Sequence, residues 1–242
     1  MITGGTRGIG AAIARDLAAA GARVVINGRR QDDEAMTVLH DLQRQGDFCQ
    51  FVAADIASPA EADRCVVEAI GMLGGLDALV HSAGGPAPGA IDQVSLDEWR
   101  HAFDVHVHAA FVLCRRALPA LRANHAGAIV LVSSVAAFRG CPGAIAYGTV
   151  QGAILQFPRM LARDLADDNI RVNCVAPGII RTRFHQAMTP AQQHHNLRQR
   201  IPLHRDGTVE DVAQVVRMLA TNEFMTGEDV TVDGGLTMQM VR

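Results

Sequence analysis

The chain has 242 residues, 49% of them hydrophobic, and a formal net charge of −3. That is apolar material for one large core, and α/β folds of this length are commonly one domain. Basic residues are scattered, in small groups such as Arg198 and Arg200, and offer no footprint for nucleic acid, and no apolar run reaches the roughly 18 residues that cross a bilayer.

No charged-then-apolar leader precedes the opening glycine-rich turn. Cys49, Cys65, Cys114, Cys141 and Cys174 are odd in number, widely spaced and without a C-x-x-C pair. They read as buried or incidental thiols in a reducing compartment, so a cytoplasmic location is expected.

Residues 1–10 read M-I-T-G-G-T-R-G-I-G and lead into a run of helix formers, Ala11 to Ala20, that stops at Gly21. Gly4, Gly8 and Gly10 permit a tight turn and let backbone amides approach a pyrophosphate at the helix N-terminus, where the dipole favours anions. The β-branched run Arg23 to Ile26 completes a β-α-β unit of the nucleotide-binding kind. Only Met1 and Ile2 precede Thr3, where a buried strand of about five residues is expected. Either the start lies upstream or the strand is truncated. At the end of the second strand Gly28 stands where a carboxylate would bind the ribose 2′-hydroxyl of NAD, and Arg29 is placed to pair with a 2′-phosphate. Arg7 adds a second cation, so NADP(H) is expected in preference to NAD(H). Arg29 and Arg30 also suit a solvated lead-in to a helix.

A helix is expected over 31–46, a strand over Cys49–Ala54, and a helix over Pro59–Gly71 capped by Ser58. A strand over Leu76–His81 closes on Ser82, Ala83, Gly84 and Gly85. Ser95-Leu96-Asp97-Glu98 opens a long, mostly apolar helix that runs to Asn124. The strand Ala128–Val132 delivers Ser133 and Ser134 at its C-terminal end, where ligands bind in doubly wound sheets. Tyr147 opens a helix to about Asp168, and the strand Arg171–Ala176 leads to Pro177–Thr182. The polar stretch 184–205 breaks the rhythm as a lid over a substrate pocket would, before a last helix, 209–220, and strand, 229–232. The pattern is a single-domain Rossmann-type α/β fold, a doubly wound parallel sheet of about seven strands with helices on both faces. His185, His194, His195 and His204 lack the i, i+4 spacing of a helical zinc pair, and no metal is expected.

T-G-x-x-x-G-x-G at 3–10, Ser134 thirteen residues before Tyr147, and P-G-x-x-x-T at 177–182 resemble the short-chain dehydrogenases/reductases, in particular the 3-oxoacyl-carrier-protein reductase-like members. The resemblance covers nearly the whole chain. It implies hydride transfer between a nicotinamide and a ketone or secondary alcohol, with Tyr147 giving the proton and Ser134 hydrogen-bonding the carbonyl oxygen. It places Gly4, Thr6, Arg7, Gly8, Ile9 and Gly10 at the cofactor phosphates, Asp55 and Ile56 at the adenine, and Ser82, Ala83 and Gly84 at the ribose. Asp55 equally suits an ordinary turn. Tyr147 and residue 151 fall at the nicotinamide ribose, and Pro177, Gly178, Ile180 and Thr182 at the carboxamide. It also implies a homotetramer or homodimer through helices 107–124 and 146–168.

Three positions depart from the family's pattern. Gln151 replaces its lysine, His106 replaces its tetrad asparagine twenty-eight residues before Ser134, and H-S-A-G at 81–84 replaces N-N-A-G. A tyrosine of pKa about 10 is a sluggish base without a neighbouring cation. The lost charge should therefore cost alcohol oxidation more than ketone reduction, which needs only a protonated tyrosine. His106 either feeds protons to Tyr147 from a pKa near 6.5 or merely fills space on its helix. The alternative function is a catalytically impaired NADP(H)-binding protein with a regulatory or structural role. A third reading, chemistry by Ser134 and Tyr147 without hydride transfer, fits halohydrin-cleaving relatives, but these typically lose the glycine-rich turn that is intact here.

Overall fold

The computed structural model describes residues 1–45, 48–183 and 188–238. Its strands are β1 (Ile2–Thr3), β2 (Val24–Gly28), β3 (Cys49–Ala53), β4 (Ala78–His81), β5 (Ala128–Val132), β6 (Arg171–Pro177) and β7 (Asp229–Val232). They form one parallel sheet in the order β3-β2-β1-β4-β5-β6-β7. The fold is a single doubly wound domain.

Helices α1 (Gly8–Ala19), α2 (Asp33–Gln45) and α8 (Val209–Thr221) share a core with one face of the sheet. Helices α3 (Pro59–Leu73), α5 (Ala109–Ala123) and α6 (Ile145–Leu165) share a core with the other. Burial on both faces explains why the strands read as continuous apolar runs. In β5, Ile129 and Leu131 join the α3/α5/α6 core while Val130 joins the opposite one. The strand order reverses between β1 and β4, and the crevice at their C-terminal ends is where such sheets bind ligands. Register pairs Thr3 with His81 there, and Ser133 follows β5 on the neighbouring strand. β1 is two residues long, and the Met1 carbonyl extends its pairing by accepting the Val80 N–H at 2.9 Å.

Two local expectations are corrected. Ser58 precedes α3 in extended conformation, but its side chain makes no capping bond. Glu61 organises this turn instead, its Oε2 accepting the Asp55 N–H at 2.7 Å. The expected long helix from Ser95 to Asn124 is three pieces: α4 (Leu96–Phe103), a π-turn (Asp104–His108) and α5. Ser95 and Glu98 do form the reciprocal capping box that starts it. The π-turn hydrogen-bonds Ala109 N–H back to the Asp104 carbonyl, adding one residue to the helical repeat at His106. Such turns are rare and are frequent at functional sites. The expected lid lies partly outside the described residues. Its described part contains α7 (Pro190–His195), capped by Thr189 and Gln192, and a second π-turn (Asn196–Arg200).

Candidate active site

Ser134 leaves β5 and caps a single 3₁₀ turn, its Oγ accepting the Ala136 N–H at 3.2 Å. Tyr147 sits half-buried in the first turn of α6. Burial pushes its phenol above the ordinary tyrosine value. A hydrogen bond with the Ser134 hydroxyl opposes this, and the nearby Cys141 thiol adds to the rise. Gln151, one turn further along α6, is buried, and its backbone carbonyl accepts the Ser133 hydroxyl at 2.9 Å.

The three departures from the family pattern meet in space. The His106 carbonyl can only accept, so the His81 contact at 3.3 Å puts a proton on His81 Nε2. His81 Nδ1 must then accept the Thr3 hydroxyl at 2.8 Å, while Thr3 Oγ1 accepts the Ala83 N–H at 3.3 Å. At His106 Nε2 the Gly85 carbonyl at 3.2 Å competes with the Gly85 N–H at 3.5 Å, and the shorter contact assigns the proton to the nitrogen. His106 Nδ1 accepts from Gln151 Nε2 at 3.3 Å. These tautomers follow from the hydrogen-bond network. Both ring nitrogens of both histidines are thus committed. Burial, the largest cause for each, lowers both pKa values to about 4.

Of the two readings of His106, its burial and its two ring contacts favour the one in which it fills space on its helix over the one in which it feeds protons to Tyr147. Its ring is buried and neutral, edge-on to the Tyr147 ring at 6.0 Å between centroids. It positions Gln151, and Gln151 Oε1 is left buried without a partner. A pH–rate profile should accordingly show no inflection near 6.5 assignable to His106. An inflection there in the native protein that vanishes in His106→Asn would refute the assignment.

Several of the residues expected at the cofactor come close together beside the C-terminal ends of the central strands. A Cβ on Gly4, whose φ is +64°, would lie 2.7 Å from the Ala83 backbone, so the turn after β1 packs directly on the loop after β4. A Cβ on Gly84 would lie 2.4 Å from His106 Cε1. Across the cleft, the Thr182 methyl stands 3.6 Å from the Cβ position of Gly8. Arg7 at the N-cap makes no side-chain capping bond, and the first turn of α1 contains no acidic residue. This end of α1 keeps its amides and its dipole for an anion, which fits a dinucleotide pyrophosphate. Thr6 is buried against Gly28, and Ile180 is buried where Gly207 bridges to it. Ile9, Ser82 and Gly178 are half-buried around the same mouth, Ile56 and Pro177 are buried, and Arg29 is exposed. Asp55 Oδ1 accepts the Ala57 N–H at 3.1 Å, which makes it a turn former whatever else it does. On the substrate side, the loop after β4 is tied to the one before Tyr147, with Gly89 N–H donating to the Gly143 carbonyl at 2.7 Å. Among the described residues no group of three His, Cys, Asp or Glu side chains comes together to hold a metal ion. His185 lies outside the described residues.

A family profile described as "Enoyl-(Acyl carrier protein) reductase" matches residues 4–237. "Dehydrogenase/reductase SDR family member 4" of Homo sapiens is 34% identical over 239 residues, 97% of this chain and 86% of the relative. A "3-oxoacyl-[acyl-carrier-protein] reductase" of Synechocystis is 33% identical over 98% of this chain and 96% of its own. Among solved structures, a 7 alpha-hydroxysteroid dehydrogenase complexed with NADH and 7-oxo glycochenodeoxycholic acid superposes with a TM-score of 0.93 at 32% identity, covering 99% of this chain and 94% of that one. The chain belongs to the short-chain dehydrogenase/reductase family. It is thus a relative of oxidoreductases, and no helix among its described residues is long and apolar enough to cross a membrane.

Sequence reasoning missed how this short-chain dehydrogenase/reductase wires its site. Nothing in the sequence marks Thr3, Ser133 or the Gly85 carbonyl as partners, or shows that His81 ties Thr3 to the His106 carbonyl. The available signal was the coincidence of three unusual residues, 81, 106 and 151, at three motif positions.

Proposed function

We propose that this protein is an NADP(H)-dependent reductase of ketones, acting through Tyr147 and Ser134. The observation that carries the reading is the state of Tyr147: paired with Ser134, raised in pKa by burial, and with the uncharged Gln151 one turn along α6. It holds its proton throughout the neutral range and is suited to giving it up to an alkoxide rather than to abstracting one. Bound in the cleft, the nicotinamide supplies the hydride. Ser134 and Tyr147 direct two hydroxyls at one carbonyl oxygen, where negative charge develops, and Tyr147 delivers the proton. Gln151, in contact with His106 at 3.3 Å, would hold the ribose through an amide that carries no charge to shift the phenol. Arg7, Arg29 and the absence of a carboxylate at Gly28 favour a 2′-phosphorylated cofactor. One solved neighbour, a blue fluorescent protein from a metagenomic library, is in complex with NADPH, with a TM-score of 0.91 at 34% identity over 98% of this chain and 96% of its own. A cytoplasmic homotetramer or homodimer acting on a small-molecule carbonyl completes the proposal, with residues 184–205 as its lid.

The test is NADPH consumption over a panel of ketones, native protein against Gln151→Lys. The native protein should turn over ketones. The lysine should raise alcohol oxidation at mildly alkaline pH by about tenfold for each pK unit it takes off Tyr147, and reduction by much less. Turnover only in Gln151→Lys would instead assign the native chain the role of a non-catalytic nucleotide-binding protein.

A further inference from the structure

Arg7, assigned above to the cofactor phosphate, does not stand alone. Arg7 Nε lies 3.6 Å from Glu34 Oε2, and its Nη2 lies 3.8 Å from Asp32 Oδ2. The same Glu34 oxygen accepts from Arg183 Nη1 at 3.0 Å. Glu34 stands in the first turn of α2, directly after the Gly28–Arg30 segment; Arg7 comes from the glycine-rich turn and Arg183 from the loop after β6. One carboxylate oxygen thus bridges the two loops that flank the cleft mouth.

A 2′-phosphate adds roughly two negative charges and seeks a guanidinium fork. Here the guanidinium already faces two carboxylates, and a phosphate reaching Arg7 competes with Glu34 and sits beside its charge. A cofactor without the 2′-phosphate pays neither penalty. We infer that Glu34 is a specificity-determining residue for the cofactor: it competes with the 2′-phosphate for Arg7 and so narrows the preference for NADP(H) over NAD(H). Arg183 gives the displaced carboxylate a second partner, which keeps the exchange reversible. The inference rests on the reading of Arg7 as a phosphate cation.

The groups are solvent-accessible and screened, so the effect is modest. Titration of NADPH and NADH binding by cofactor fluorescence, in native protein, Glu34→Gln and Arg7→Ala, tests it without any turnover. Glu34→Gln should tighten NADPH binding by about three- to tenfold and leave NADH within twofold, and added salt should shrink the difference. If the native protein prefers NADPH, Arg7→Ala abolishes that preference, and Glu34→Gln leaves the ratio unmoved, the inference is overturned while the phosphate reading stands. If Arg7→Ala costs NADPH nothing, the phosphate reading fails and takes the inference with it.

Discussion

Tyr147→Phe is expected to lower kcat for ketone reduction by about 10²- to 10⁴-fold, the range for loss of a positioned general acid. NADPH affinity should stay within a few-fold. The other titratable rings in contact with the site cannot substitute: His106 and His81 are neutral, with every ring nitrogen engaged. Ser134→Ala should cost about 10²- to 10³-fold, the effect of removing one donor from a developing oxyanion. Because Ser134 and Tyr147 serve one oxygen, the double variant should be little worse than Tyr147→Phe alone. NADPH consumption under saturating ketone, with a parallel NADPH titration, measures this. A Tyr147→Phe protein that keeps activity within tenfold would remove tyrosine from the mechanism.

The second large effect is on stability. His81 and His106 have folded pKa values lowered to about 4 from the ordinary value of 6.5. Depressed values mean that the folded state refuses protons which the unfolded chain accepts. The stabilising term is therefore complete above pH 6.5, where both states are neutral, and is lost as pH falls from there towards 4. For each ring the loss is on the order of 3 kcal/mol, and less than twice that for the pair because the rings interact. Urea midpoints between pH 7 and 4.5 should fall steeply in the native protein. They should fall less in His81→Asn/His106→Asn, which restores the family's residues and removes both titrations. Asp211, lowered to about 2 chiefly by Arg205, loses its contribution only below that window. Equal slopes for native and double variant would show that the histidines are not buried neutral.

Much of this was legible because it is local. The bounds of β5 and β7 are those expected from apolar runs and flanking turn residues, and Ser95 with Glu98 spelled a capping box that the fold contains. What sequence hid was non-local or subtle in register. The π-turn adds one residue without disturbing the apolar pattern on either side, so the periodicity of 95–124 read as one helix. The sequence shows His106 as a residue type; its neutrality comes from burial against Gly84, Gly85 and Gln151, brought together by the crossing of α6 under the loop after β4. His81 reaches the His106 carbonyl because sheet register sets Thr3 beside it. Glu34 and Arg183 are 149 residues apart in the chain, and no motif links them.

The π-turn also fixes a length. Each residue of a helix advances its neighbours by about 100°. Removing one residue from Asp104–His108 would restore an ordinary helix and swing α4 by that angle against α5. Trp99 and Phe103, which stack at 5.1 Å and pack with Ala146 and Val150 of α6, would turn off the tyrosine-bearing helix. His106 would lose either Gly85 or Gln151. The loop at 86–94 is tied down at Gly89, but its other residues lie outside any helical repeat. Insertions and deletions among homologues should therefore gather in that loop, while the spacing from Ser95 to His106 behaves as a ruler that tolerates substitution but not a change of count.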